Sequence, residues 1–268
     1  MSNLALAELP ATAEGQEELP TAAEWETIMA GLVTEDDKPV DNLVSAKQQR
    51  LSVESLYSSW TPPPDENAPE QPRRFLADAN VAIYSSVNTP AIVPDVFVSL
   101  DVTVEPDWRQ RKNRSYFTWE HGKPPEVVME IVSNKVGHEL SDKMQRYARM
   151  FVNYYVVFDP LCELSHDPVG IYELENIFGH WRYRLRPDFN LPAVGLGLQL
   201  WRGTFEGIEY DWLRWCDAAG NILLTGKERA DAETQRANKE AQRADTETQR
   251  NAVLVAKLRE LGVDPAQL

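Results

Sequence analysis

Hydrophobic positions in this chain recur with two different periods, which together predict a sheet flanked by helices. Runs of β-branched and aromatic residues predict buried strands, and they occupy residues 75–85, 94–100, 127–132 and 154–158. After Gly137 the apolar residues from Leu140 to Met150 recur every three or four positions, which predicts a helix. Alternating segments at 169–174 and 181–185 predict a hairpin that extends the sheet.

The two ends of the chain follow other patterns. The first 22 residues are acidic and rich in alanine and proline, which predicts a flexible leader. Thr21 and Glu24 form a capping box that begins a helix, and a second helix is predicted from about Asp41. From Gly226 a seven-residue repeat carries Ala and Thr at its recurring positions. This repeat predicts a long helix and, at most, a weak coiled coil.

Two acids and one lysine stand where these patterns predict a packed core. Glu130 interrupts the apolar strand 127–132, and Asp95 opens the preceding strand. A carboxylate buried without a partner is costly, so it requires a cation, a metal or a proton. Lys143 lies on the next helix, on the same side as Tyr147 because four residues separate them. Spacing alone indicates metal-assisted hydrolysis.

The Pro94-Asp95 pair, the Glu130 strand and the following helix resemble the Uma-two family of restriction-endonuclease-like proteins, in the PD-(D/E)XK nuclease superfamily. The resemblance covers roughly residues 23–226. It implies that Asp95 and Glu130 bind a divalent metal, together with the backbone carbonyl of Ile131. Hard oxygen ligands suit Mg²⁺ or Mn²⁺. The implied partner is DNA, and the implied activity is that of an endonuclease that hydrolyses its phosphodiester bonds.

The site lysine departs from the superfamily pattern. The superfamily places it two residues after the second acid, where this chain has Val132. The Uma-two family, which this chain resembles, carries its lysine on the next helix, and this favours Lys143. The segment between the strand and this lysine is one residue shorter here than in the family. Lys135 is the rival candidate. A helix over the site is a more rigid mount than a loop, so Lys143 is preferred.

Four further residues remain open as members of the site. Asp101 shares the predicted strand face of the first acid and is a rival ligand. Glu126 shares the face of the second acid and lies near the mouth of its strand, unless it is simply a solvated strand end. Asp41 is either an acid that approaches the metal or a plain helix cap. His138 lies near the start of the lysine-bearing helix, without zinc-ligand spacing.

Charge at first argues against nucleic acid, because the chain has a formal net charge of −15. However, the first 50 residues alone hold ten acids against three bases. The polar segment 105–124 combines basic and aromatic side chains, namely Arg109, Arg111, Lys112 and Arg114 with Trp108, Tyr116 and Trp119. This combination suits a nucleic-acid backbone and its bases. A solvated loop with packed aromatic residues explains it equally well.

The remaining features bound the class and location of the protein. No apolar run approaches the roughly 20 residues of a membrane span, and Cys162 and Cys216 indicate neither a disulfide framework nor a metal site. We therefore expect a cytoplasmic protein. The expected fold class is α/β (α+β), a restriction-endonuclease-like mixed sheet flanked by helices. The nuclease-like domain spans 23–225, between the leader 1–22 and a C-terminal helical region 226–268. We expect this helix to pair loosely in a homodimer, with a solvated single helix as the alternative.

Two other functional readings stay open. The first is a catalytically inactive protein that keeps the nuclease fold and acts in DNA binding or assembly. This interpretation is favoured because Val132 occupies the position of the superfamily lysine. The second treats Glu130 and Lys143 as a buried ion pair without chemistry. That reading leaves Asp95 unexplained, and it predicts that Lys143→Ala unfolds the domain by leaving a buried carboxylate unpaired.

Overall fold

A six-stranded mixed sheet forms the centre of the protein, in a computed structural model that describes residues 42–65, 68–86, 88–107, 109, 113–133 and 139–261. In spatial order its strands are β1 (Phe75–Ala79), β3 (Val96–Leu100), β5 (Val127–Ile131), β6 (Tyr154–Phe158), β7 (Val169–Ile177) and β8 (His180–Leu185). Neighbouring strands are antiparallel except β5 and β6, which are parallel. The predicted sheet and its terminal hairpin are confirmed. The single strand predicted over 75–85 is wrong, because the chain turns at Asn80 and residues 83–84 belong to a different sheet.

Both faces of this sheet are covered, which explains why its central strands have so few polar positions. Every residue of β3, β5 and β6 is buried. One face packs against helix α1 (Leu43–Ser59) and a second sheet of β9 (Asn190–Leu191), β10 (Leu196–Phe205) and β11 (Ile208–Asp217). The other face packs against helix α3 (Met144–Arg149) and the parallel pair β2 (Ile83–Tyr84) and β4 (Tyr116–Phe117), which leads into the short helix α2 (Thr118–His121).

The register between β3 and β5 determines which acids meet. Val96 pairs with Met129 and Val98 with Val127, in antiparallel order. Asp95, just before β3, therefore lies beside Glu130 near the end of β5. At the opposite end of the pair, the Leu100 N–H donates to the Glu126 side chain.

Helix α1 confirms the helix predicted from about Asp41, but its buried face is mostly polar. The buried residues are Ser45, Gln48, Gln49, Leu51, Ser52, Ser55 and Leu56. The Gln48 amide donates to the Leu213 carbonyl over 2.7 Å and accepts from the Leu213 N–H over 3.0 Å. Leu43, an apolar residue in its first turn, is exposed. The helix predicted at Thr21 and the leader 1–22 lie outside the described residues.

The C-terminal repeat forms helix α4 (Gly226–Glu260), which is attached at its first turn. Thr225 and Glu228 form a capping box. The Glu228 carboxylate also accepts two hydrogen bonds, of 3.0 and 2.7 Å, from the buried guanidinium of Arg214. No residue of α4, all of which is described, is buried. The helix therefore extends from the globular part, and the division into domains at 225 stays a prediction.

Candidate active site

Asp95, just before β3, and Glu130, on the adjacent strand β5, are neighbours in register. Glu130 is 1% exposed. Asp95 is fixed against the end of β5, because its Oδ2 accepts the Ile131 N–H over 2.6 Å. The two acids predicted from the sequence are therefore brought together by the register, close enough for the Asp95 carboxylate to raise the pKa of Glu130.

Lys143 and Tyr147 reach Glu130 from the layer above the sheet. Lys143 ends a π-helical turn, Glu139–Lys143, that continues directly into α3. Its Nζ donates to Glu130 Oε2 over 2.9 Å, and the Tyr147 hydroxyl donates to Glu130 Oε1 over 2.7 Å. Both oxygens of the buried carboxylate are therefore held by residues four apart on one helical segment. Single π-helical turns are frequent at functional sites.

Gln49 and Asn80 complete the surroundings of Asp95 and were not found from the sequence. The Gln49 side-chain amide donates to Asp95 Oδ1 over 2.7 Å, and its oxygen accepts from Asn80 Nδ2 over 2.9 Å. Asn80 has a positive φ of 56°, a conformation that asparagine tolerates better than most residues. A signal was present, because Gln48 and Gln49 stand on a helix face where an apolar stripe is normal.

Burial and charge together determine the protonation of Glu130. Burial away from water and, secondarily, the adjacent Asp95 carboxylate raise the pKa of Glu130 to about 8, although Lys143 and Tyr147 oppose this rise. Burial, with the nearby Glu130 carboxylate, also raises the pKa of Tyr147 well above its ordinary value. In the protein alone, Glu130 therefore holds a proton near neutral pH while Tyr147 stays a hydroxyl donor.

The arrangement of oxygen atoms fits a divalent cation. Asp95 and Glu130 supply two hard carboxylates whose mutual repulsion a cation would relieve. The N–H and C=O of one strand residue point toward the same neighbouring strand, so the Ile131 carbonyl faces Asp95 as its N–H does. Among the described residues no group of three or more His, Cys, Asp and Glu side chains could hold a metal ion. The remaining ligands would have to be water and substrate, as is usual for Mg²⁺.

Comparison with known proteins adds the family. Residues 47–192, more than half of the chain, match the model of the Uma2 family, described as putative restriction endonuclease. The chain belongs to the Uma2 family. The matched segment includes Gln49, Asp95, Glu130 and Lys143, whereas α4 lies outside it. No curated protein and no solved structure matches the chain.

The architecture agrees with the family. A mixed sheet with helices on its faces and a long C-terminal helix is the restriction-endonuclease-like arrangement expected from the sequence. Among the described helices of this Uma2 chain, none combines the length and the apolar character that crossing a bilayer requires.

The rival acids lie at the other end of the strand pair. Asp101 forms an ion pair with Arg73, in which Arg73 Nη2 donates to Asp101 Oδ2 over 2.7 Å. Glu126 forms an ion pair with Lys123 and accepts from the Leu100 N–H. Both are held by partners of their own, away from the Asp95–Glu130 pair. The other candidates from the sequence, Asp41, Lys135 and His138, lie outside the described residues.

Aromatic packing holds the described residues of the segment 105–124. The Tyr116 ring is buried and its hydroxyl bonds to Ser99 over 2.9 Å. Trp119 packs on Phe117 with ring centroids 5.0 Å apart. Trp108, Arg111 and Lys112, which carried much of the basic and aromatic pattern, lie outside the described residues. The DNA-binding role of this segment stays a prediction.

Proposed function

We propose that this Uma2 protein is a metal-dependent DNA endonuclease that hydrolyses phosphodiester bonds, with Mg²⁺ or Mn²⁺ as its cofactor. The observation that carries the proposal is the convergence of Asp95 and Glu130, with Lys143 bonded to the second acid. Burying an ionisable acid beside a second acid costs stability, because the buried acid must either hold a proton or carry an uncompensated charge. A function that needs both carboxylates is therefore the simplest reason for the pair.

Each residue has a role that follows from its contacts. Asp95, Glu130 and the Ile131 carbonyl would hold the metal. When bound, the metal would polarise the phosphodiester and make water a stronger nucleophile. Lys143, whose side chain is 31% exposed, can turn from Glu130 toward the substrate, where its ammonium stabilises negative charge on phosphate or orients the attacking water.

Gln49 and Tyr147 act on the two carboxylates. The Gln49 amide and the Ile131 N–H each hold one Asp95 oxygen, and Tyr147 holds one Glu130 oxygen. These bonds fix the orientation of both groups, since a carboxylate must be aligned before it can bind a metal in a rigid geometry.

One observation favours the non-catalytic alternative, a nuclease-fold protein that acts in DNA binding or assembly. Val132, at the position of the superfamily lysine, is buried in the apolar cluster above the sheet. No cation can act from there. If the chain is catalytic, its lysine is therefore Lys143 or the rival Lys135, and we expect the loss of Lys143 to be decisive.

The test is cleavage of supercoiled and single-stranded DNA with Mg²⁺ and with Mn²⁺. Asp95→Asn, Glu130→Gln and Lys143→Met are compared with Asp101→Asn, a matched aspartate at the far end of the same strand. We expect the first three to lose about 100-fold or more in rate and Asp101→Asn to retain activity. Calorimetry should show that Asp95→Asn and Glu130→Gln also lose Mn²⁺ binding, whereas Lys143→Met keeps it.

Three results would contradict the proposal. A folded wild type that binds DNA but cuts with neither metal favours the binding or assembly role. Equal activity in Lys143→Met removes the lysine from the mechanism. Unfolding of Lys143→Met, with no metal binding by the wild type, leaves Glu130 and Lys143 as a structural ion pair.

We also propose that the protein is a loose homodimer through α4 and works in a reducing, cytoplasmic compartment. Val253, Leu254 and Leu261 at the end of α4 are exposed, and a second copy would cover them. Cys162 and Cys216 are free thiols. Sedimentation should show a concentration-dependent dimer that Leu254→Glu weakens, and a monomer at all concentrations contradicts it.

A further inference from the structure

A second surface, beside α3, exposes aromatic rings. Phe151 and Trp181 are 51% and 48% exposed and meet edge to face, with centroids 5.6 Å apart. They line an open cleft of about 660 Å³ between α3 and β8, together with Met144, Ala148 and Arg149. We refer to this surface as the α3–β8 cleft.

Local stability does not explain these aromatic residues. Phe151 has a φ of 62°, and Phe178, at the tip of the β7–β8 hairpin, has a φ of 51° and is 99% exposed. Glycine or asparagine adopts this conformation at lower cost. The edge-to-face contact between Phe151 and Trp181 still leaves about half of each side chain exposed, so a contact with another molecule is the better explanation.

The charge around the cleft is positive, in contrast to the acidic chain. Helix α3 contains Arg146 and Arg149 and no acid, and β8 contains Arg182 and Arg184 and no acid. Arg184 is paired with Glu175, and Arg146 donates to backbone carbonyls. Arg149 and Arg182, which both line the cleft, form no ion pair with any residue that the structure describes.

The cleft is close to the candidate active site, because α3 separates the two. Tyr147 on this helix bonds to Glu130, while the next two residues, Ala148 and Arg149, line the cleft. A helix is about 10 Å across, so a substrate strand that continues beyond the cut can extend past it. One substrate strand can therefore reach both places.

We propose that the α3–β8 cleft binds unpaired bases of the DNA substrate, with a base stacked on Trp181 and Phe151 and a flanking phosphate near Arg149. The inference rests on the proposed function and names its substrate class, DNA with a single-stranded segment beside the cut. Aromatic faces and arginines without partners are the features of sequence-tolerant single-strand binding. A second copy fits less well, because symmetric pairing of β8 with itself would bring arginines together.

The test measures binding of fluorescent oligo(dT), about 16 nucleotides long, in EDTA so that no cleavage is involved. Trp181→Ala and Phe151→Asn, in which asparagine tolerates the positive φ, should each weaken binding about tenfold or more. Trp181→Phe should restore most of it. Arg149→Gln should reduce the slope of log Kd against log salt concentration by about one, the change expected for the loss of one phosphate contact.

Leu185→Ala is the matched control, because Leu185 is 60% exposed on the same face of β8 as Trp181 but has no ring. It should bind as the wild type does. The inference is overturned if the wild type does not bind oligo(dT) or if Trp181→Ala binds it normally. It is also overturned if Trp181→Ala changes only the sedimentation of the protein, which would mark an interface between copies.

The outcomes also separate this inference from the proposed function. If Trp181→Ala loses oligo(dT) binding and the wild type cleaves no DNA under any condition, the proposal for the cleft is supported and the proposed nuclease function is contradicted. If Trp181→Ala cleaves both single-stranded and duplex DNA at the wild-type rate, the proposed nuclease function is supported and the proposal for the cleft is overturned.

Discussion

Glu130→Gln tests the electrostatics of the site without relying on activity. The substitution keeps the shape of the side chain and removes its ability to ionise. In the wild type, burial and the Asp95 carboxylate raise the pKa of Glu130 from 4.5 to about 8. The folded, metal-free protein therefore binds a proton that the unfolded chain releases, and its stability is complete below about pH 4.5 and is lost as the pH rises toward about 8.

The magnitude follows from the two pKa values. Each pH unit between them costs about 1.4 kcal/mol of stability, so the full interval corresponds to an upper bound of roughly 5 kcal/mol. Glu130→Gln has no such loss and should be more stable than the wild type at about pH 8 by roughly 3 to 5 kcal/mol. At about pH 5 the two proteins should be nearly equal.

Urea unfolding in EDTA, at a series of pH values from about 5 to about 8, measures this difference. Comparison of the two proteins cancels contributions from other groups, such as His121, whose pKa is lowered by burial and which therefore acts with the opposite sign. Mg²⁺ should restore the wild type at high pH and leave Glu130→Gln unchanged. A wild-type stability that is flat or rises with pH relative to Glu130→Gln would refute the reasoning.

Three further substitutions test other contacts. Gln49→Glu places a third carboxylate in the site, against Asp95. We expect a loss of about 1 to 3 kcal/mol of folding stability without metal and tighter Mn²⁺ binding by calorimetry. If both values are unchanged, the contact between residue 49 and Asp95 is contradicted. Arg214→Met leaves Glu228 without its buried partner and should cost about 3 kcal/mol in urea unfolding, whereas a neutral result would show that α4 is attached by other means. In Gly195→Ala the alanine must adopt a φ of 67°, with its Cβ 2.8 Å from the Pro63 ring. We expect a loss of about 1 to 3 kcal/mol of stability, and a melting temperature equal to that of the wild type would contradict it.

Local sequence was sufficient for the elements that carry the site. An apolar run with a single acid is enough to predict β5, because a strand covered on both faces admits few polar residues. The four-residue spacing of Lys143 and Tyr147 is enough to place both on one side of a helical segment. The resemblance to the family was confirmed, with the chemistry of Asp95, Glu130 and Lys143 still to be tested.

Local sequence was insufficient for contacts that depend on register. Asp95 and Asp101 share one strand face, and strand alternation alone cannot separate them. The antiparallel pairing of Val96 with Met129 brings the first beside Glu130 and leaves the second at the far end with Arg73. Pairing between strands joins residues far apart in the chain, so no local period contains it.

The sequence by itself determined the strands, the acids within them, the lysine-bearing helix and the exposed C-terminal repeat, since each depends on neighbours within a few residues. Only the tertiary structure decided that Gln49 and Asn80 hold Asp95 and that Phe151 and Trp181 meet beside α3. These contacts arise where separate layers pack against each other. Packing is set by the shapes of whole elements, which hydrophobic patterns do not encode.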